Sequence, residues 1–125
     1  MISSALTQVR QLYQQRNYDD ALLILERYEE NNDLTVEMLL LKGRLIQLSE
    51  SGKFDLADAK DCFLKALKQD AESTRAILEL GWLTLNVFDD PIEAKQYFTQ
   101  ALLLINAARD EALDGLQKCG NFDIH

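Results

Sequence analysis

Few side chains in this chain could do covalent or proton-transfer chemistry. Among 125 residues there is one histidine, His125, and there are two cysteines, Cys62 and Cys119. A Ser–His–Asp or Cys–His arrangement would have to use His125, and a solvated tail residue is the simpler reading. The cysteines lie far apart and match no metal or redox spacing. Both are expected to behave as small buried apolar residues in a reducing compartment. The acid pairs Asp19-Asp20 and Asp89-Asp90 could act as proton donor and acceptor, but both fall at expected helix starts. There, capping and the helix dipole account for them. No Gly-rich phosphate loop, dinucleotide fingerprint or His/Cys cluster is present. The expectation is no enzyme, no cofactor and no metal, which leaves binding as the class of activity.

Composition narrows the partner. Lys and Arg total 13 against 21 Asp and Glu, for a net charge of −8. An acidic surface repels nucleic acid and anionic membrane and suits a basic protein. The hydrophobic share of 47% is enough for a folded core. Leu and Ala are abundant and β-branched residues sparse, which favours helix. The N-terminal stretch MISSALTQVRQLYQQR lacks a basic segment followed by an apolar run. The longest apolar run, Met38 to Leu41, is too short to cross a bilayer. The expected location is the cytoplasm.

Periodicity predicts about seven helices. Ser3 or Ser4 caps the first, which carries Ala5, Leu6, Val9, Leu12 and Tyr13 to about Gln15. Asn17 caps the second, with Tyr18, Ala21, Leu22, Ile24, Leu25 and Tyr28, ending in EENND. The third, from near Thr35 to Ser49, is apolar almost all round and is therefore placed centrally. After the turn Glu50–Lys53 the fourth helix turns Leu56, Ala59, Phe63, Ala66 and Leu67 inward. Asp70 or Ser73 caps the fifth, about 73–88. It has one stripe of Ile77, Leu80, Gly81, Thr84 and Phe88 and an adjacent stripe of Leu78, Trp82 and Leu85. Asp90-Pro91-Ile92-Glu93 opens the sixth. Asn106 is expected to cap a short seventh with Ala108, Ala112, Leu113 and Leu116, stopped by Gly120-Asn121 before a frayed FDIH tail.

The return helices repeat one another. Ala21, Leu25 and Tyr28 match Ala59, Phe63 and Ala66, and then Ala94, Phe98 and Ala101. The leading helices place Val9, Gly43 and Gly81 where a small residue lets the return helix approach. Glycine inside a helix costs roughly 1 kcal/mol relative to alanine, so two in register imply that close packing compensates.

These residues resemble the tetratricopeptide repeat, most closely in NYDDALLILERYEENND, in DAKDCFLKALKQDAES, and in LGWL with EAKQYFTQAL. The resemblance implies an all-α domain over 1–125: antiparallel helical hairpins stacked as a short right-handed superhelix. The repeats would be about 2–33, 35–71 and 73–106, with a capping helix at about 107–119. The chain departs from the family in Tyr28, which replaces a small residue. Its second turn is longer, and no Pro follows any return helix. The resemblance further implies that leading-helix residues line a concave groove that binds a peptide or protein segment. Projected onto this chain, they are Leu6, Arg10, Tyr13 and Gln14, then Leu40, Arg44, Gln47 and Leu48, then Leu78, Trp82, Leu85 and Asn86. The favoured candidates are Arg10, Tyr13, Gln14, Arg44, Gln47, Leu78, Trp82, Leu85 and Asn86.

Two arginines and an aromatic in an apolar groove suit a segment with acidic and hydrophobic anchors. The Lys/Asn clamp of the family members that hold acidic chaperone tails is not evident, since Leu6, Arg10, Leu40 and Arg44 occupy those sites. Arg10 and Arg44 could equally pair with local carboxylates, and Trp82 could pack on a neighbouring helix. A second expectation is a dedicated bacterial immunity protein or secretion chaperone that masks one basic partner. The stripe Leu78, Trp82 and Leu85 would also serve self-association.

Overall fold

Side-chain caps set where four of the helices begin. Thr35 accepts a hydrogen bond from the Met38 amide at 3.2 Å, Asp55 from Asp58 at 3.0 Å, Ser73 from Ala76 at 3.3 Å and Asp90 from Glu93 at 3.1 Å. Each satisfies an N–H that the helix cannot, worth about 1 kcal/mol. The Asp55 cap is reciprocal, because Asp58 accepts from the Asp55 amide at 2.9 Å. Pro91 sits in the first turn behind Asp90, where its missing N–H costs nothing.

The computed structural model describes residues 2–119, which are all-α, with no strand among them. The helices are α1 (Ile2–Gln14), α2 (Tyr18–Glu29), α3 (Val36–Leu48), α4 (Leu56–Gln69), α5 (Thr74–Asn86) and α6 (Pro91–Lys118). Neighbours in sequence are neighbours in space. The hairpins α1/α2, α3/α4 and α5/α6 pack internally, and the α2/α3 and α4/α5 contacts join them into a row.

The core follows the repeat. Val9, Ala21, Leu25, Met38, Leu45, Ala59, Phe63, Ala66, Ile77 and Leu80 are fully buried. Helix α3, apolar nearly all round, lies between α2 and α4 and buries Met38, Leu39, Leu41, Gly43, Leu45 and Ile46. The two glycines sit under aromatic rings. A Cβ on Gly43 would lie 2.5 Å from the Phe63 ring, and one on Gly81 would lie 2.8 Å from the Phe98 ring. The small–large–small series therefore describes a ring laid on bare backbone, flanked by alanines that are themselves buried (Ala59 and Ala66, Ala94 and Ala101).

Three sequence expectations need correction, and each has a local reason. Among the described residues there are six helices rather than seven, since the segment 107–118 continues α6 without a break. Between Pro91 and Gly115 the sequence holds no Gly or Pro, and Asn106 in mid-helix costs only a few tenths of a kcal/mol. Leaving the helix at Asn106 would sacrifice more in backbone hydrogen bonds than a cap returns. Ser3 and Ser4 do not cap α1, which already starts at Ile2. Asn17 stands at the N-cap of α2, but its side chain makes no capping bond. Its backbone closes α1 instead: Asn17 N donates to Leu12 O at 2.8 Å and Arg16 N to Tyr13 O at 3.0 Å. With Arg16 at φ 62, this is the double bond of a left-handed helix stop. The expected stop at Gly120-Asn121, the tail and His125 lie outside the described residues.

The long second turn is tied to the first hairpin. Ser49 hydroxyl donates to Asp19, Lys53 pairs with Glu26 at 2.8 Å, and Gly52 takes φ 71. Among the described residues the Thr84 hydroxyl on α5 is a buried side-chain polar atom without a hydrogen-bond partner.

Gly43→Ala should destabilise by about 1–2 kcal/mol, the overpacking outweighing the gain in helix propensity. Phe63 is fully enclosed and cannot yield, whereas Phe98 is half-buried and can swing outward. Gly81→Ala should therefore cost clearly less, and urea denaturation of the two variants checks the order. In the same assay Thr84→Val should stabilise by about 1 kcal/mol, because it removes an unsatisfied hydroxyl at constant volume.

Candidate functional site

The leading helices α1, α3 and α5 converge on one polar pocket. Tyr13 comes from α1, Arg44, Gln47 and Leu48 from α3, and Arg75 and Glu79 from α5, around a volume of about 500 Å³. Its centre is a carboxylate shared by two guanidinium groups. Arg44 Nε donates to Glu79 Oε1 at 3.0 Å, and Arg75 Nε lies 3.4 Å from the same oxygen. Glu79 is the most buried of the three, with 19% of its side chain exposed against 31% for Arg44 and 50% for Arg75. Ion pairs this wet contribute at most about 1 kcal/mol each. Their consequence is chemical: two cations and one anion leave the pocket positive on a chain of net charge −8. Each guanidinium has five N–H donors, and Glu79 cannot fill them all.

Tyr13 stands edge-on to Tyr18, ring centres 5.7 Å apart at 70°, which fixes it at the rim. Gln47 Nε2 donates to Gly43 O at 3.3 Å, one turn back along α3. Leu48 is exposed and supplies an apolar wall.

The nine candidate residues do not form one surface. Tyr13, Arg44 and Gln47 meet in this pocket. Arg10 does not line it; it pairs with Glu37 of α3, both about half exposed. Gln14 is exposed on α1, and Asn86 is exposed on α5. Leu78 is half-buried on α5. Leu85 lines a separate apolar pocket of about 320 Å³ at the other end of the row, with Pro91, Ala94, Lys95, Phe98, Thr99 and Leu102. Trp82 is 52% exposed and packs edge-on against Phe98, centres 4.9 Å apart at 67°. Sequence reasoning did not single out Arg75 and Glu79 as site residues. The available signal was their four-residue spacing on a helix, which puts opposite charges on one face.

The ion pairs show a register of their own. Arg10 of α1 reaches Glu37 of α3, and Arg44 of α3 reaches Glu79 of α5. In the third leading helix the corresponding position is Trp82, so this charge ladder ends in an exposed aromatic.

The cysteines differ. Cys62 is buried on α4, and burial pushes its thiol up from 9.0 to about 11, overriding Lys42 and Lys65, which lower it. Cys119 is exposed, against the expectation that both would be buried. It stands at the C-cap of α6. Among the described residues no group of three His, Cys, Asp or Glu side chains is arranged to hold a metal ion. No described helix is long and apolar enough to cross a membrane.

Comparison with known proteins leaves the pocket to speak for itself: no family model, curated protein or solved structure matches the chain.

At pH 8 a thiol reagent should label Cys119 rapidly and Cys62 only after denaturation, giving one reactive thiol per native chain and two per unfolded chain. The raised Cys62 value also sets a sign. Above pH 9 the unfolded thiol ionises while the folded one stays protonated, so stability should fall between pH 9 and 11, and Cys62→Ala should remove that part of the loss.

Proposed function

We propose that the chain is a protein-interaction scaffold of the tetratricopeptide type, holding an acidic, partly apolar peptide segment in the pocket between α1, α3 and α5. The observation that carries this reading is the convergence of three leading helices on Arg44 and Arg75, two guanidinium groups that share one carboxylate. The guanidinium N–H groups that Glu79 leaves unused would take a guest carboxylate beside it. Tyr13 and Leu48 offer an aromatic and an aliphatic surface to the neighbouring guest side chain. The ring-on-glycine hairpins and the nearest-neighbour row support membership of this repeat class. Nothing in the pocket needs a cofactor, and two free cysteines suit a reducing, cytoplasmic setting.

A second reading rests on the net charge of −8: the chain neutralises one basic protein, as an immunity protein or secretion chaperone does, through its acidic outer surface. The two readings use opposite charges and therefore separate cleanly.

A library of short peptides pairing Asp or Glu with a large apolar residue provides the test. Bound peptides should lose affinity about tenfold or more with the Tyr13→Ala/Arg44→Ala double variant, at unchanged helical circular dichroism. Amidation of the guest carboxylate should have a similar effect. Affinity indifferent to both changes would remove the groove as the binding surface, and selective binding of basic peptides would favour the second reading.

A further inference from the structure

In the first two hairpins the outer face of the return helix is covered by the next leading helix: α3 lies on α2, and α5 on α4. Among the described residues no helix follows α6, and the face that a following leading helix would cover is apolar. Leu85, Pro91, Phe98 and Leu102 line its pocket, with Trp82 exposed beside Phe98. A solenoid that ends in solvent needs a polar outer face on its last repeat. The α5/α6 hairpin carries Trp82 at 52% and Leu102 at 57% exposure.

The same helix supplies a matching unpartnered element. With 28 residues against the 13 of α5, α6 outruns its partner by about 22 Å at 1.5 Å per residue. Along the overhang Ile105 and Leu116 remain 47% and 39% exposed. At helical spacing, Phe98, Leu102, Ile105, Leu113 and Leu116 fall on one stripe, broken only by Arg109. Thus one continuous stripe includes the empty pocket at its beginning and the bare overhang at its end, the self-complementary arrangement that a two-fold axis requires.

We propose that two copies of this chain pair through antiparallel α6 helices, the overhang of each filling the position a fourth leading helix would take on the other. The axis passes between Leu102 and Ile105. Leu113 and Leu116 of one copy then reach Ala94 and Pro91 of the other, and Ala108 and Ala112 let the overhang approach Leu85. Helices that adjoin in sequence run antiparallel in this fold, so the arrangement repeats what α5 does on α4.

Charge fixes the direction. Lys95, at the pocket, has no ion-pair partner among the described residues, and neither has Asp110 on the overhang. Antiparallel pairing sets Lys95 of one copy between Asp110 and Asp114 of the other, twice per dimer. Parallel pairing would leave Lys95 and Asp110 unmatched, while Asp114 keeps its 2.8 Å pair with Lys118 of its own helix in either arrangement.

Sedimentation equilibrium of the full chain from low to high micromolar concentration tests the pairing. The chain should associate to a dimer, and Leu102→Glu or Leu116→Glu should each raise the dissociation constant about thirtyfold or more. Both positions are exposed within the chain, so helical circular dichroism should not change. Lys95→Asp should weaken the dimer about tenfold, and adding Asp110→Lys should restore it. A chain that remains monomeric, or a dimer indifferent to both leucine variants, overturns the proposal. A dimer that loses affinity through the leucines but is not rescued by the charge exchange overturns it as well, because the antiparallel register would be wrong.

Discussion

An aromatic ring seated on glycine backbone is the contact on which this structure depends. Phe63 on Gly43 and Phe98 on Gly81 bring leading and return helices closer than any side chain with a Cβ would permit. That approach buries the flanking alanines and fixes the spacing of each hairpin. The first hairpin has no such ring. Val9 and Leu25 are fully buried there, so an aliphatic contact does the same work with less geometric definition.

From this spacing follow the placements that build the polar pocket. Close hairpins bring α1, α3 and α5 onto one side, so residues that are distant in sequence become neighbours. Arg44 and Glu79 meet across two leading helices, and Arg75 joins them from within α5. The positive pocket on an acidic chain is a product of packing, since no local run of basic residues exists there.

Much of this was legible in the sequence because one-dimensional periods write it down. Ala-led triplets and in-register glycines identified the hairpins, and Asp90-Pro91 marked the start of α6. What escaped depended on energies that differ by little. Asn106 could end a helix or sit inside one, and the backbone hydrogen bonds kept by continuing α6 outweigh a cap there. Arg75 and Glu79 escaped for another reason: their partner Arg44 lies on a different helix, and no pattern within a single element encodes that meeting. The groove projection joined residues from both ends of the row. Tyr13, Arg44 and Gln47 gather at one pocket, while Leu85 belongs to another.

The row of hairpins has a consequence for how the molecule comes apart. Its principal contacts are between helices adjacent in sequence, so no long-range closure locks the ends together. Opening one end exposes little beyond the helix that leaves. Amide exchange should therefore be graded along the chain, slowest in α3 and α4, where neighbours lie on both sides, and faster toward α1 and the overhanging part of α6. Such a molecule loosens from its edges inward, and a guest bridging α1, α3 and α5 would splint the looser end to the firm centre.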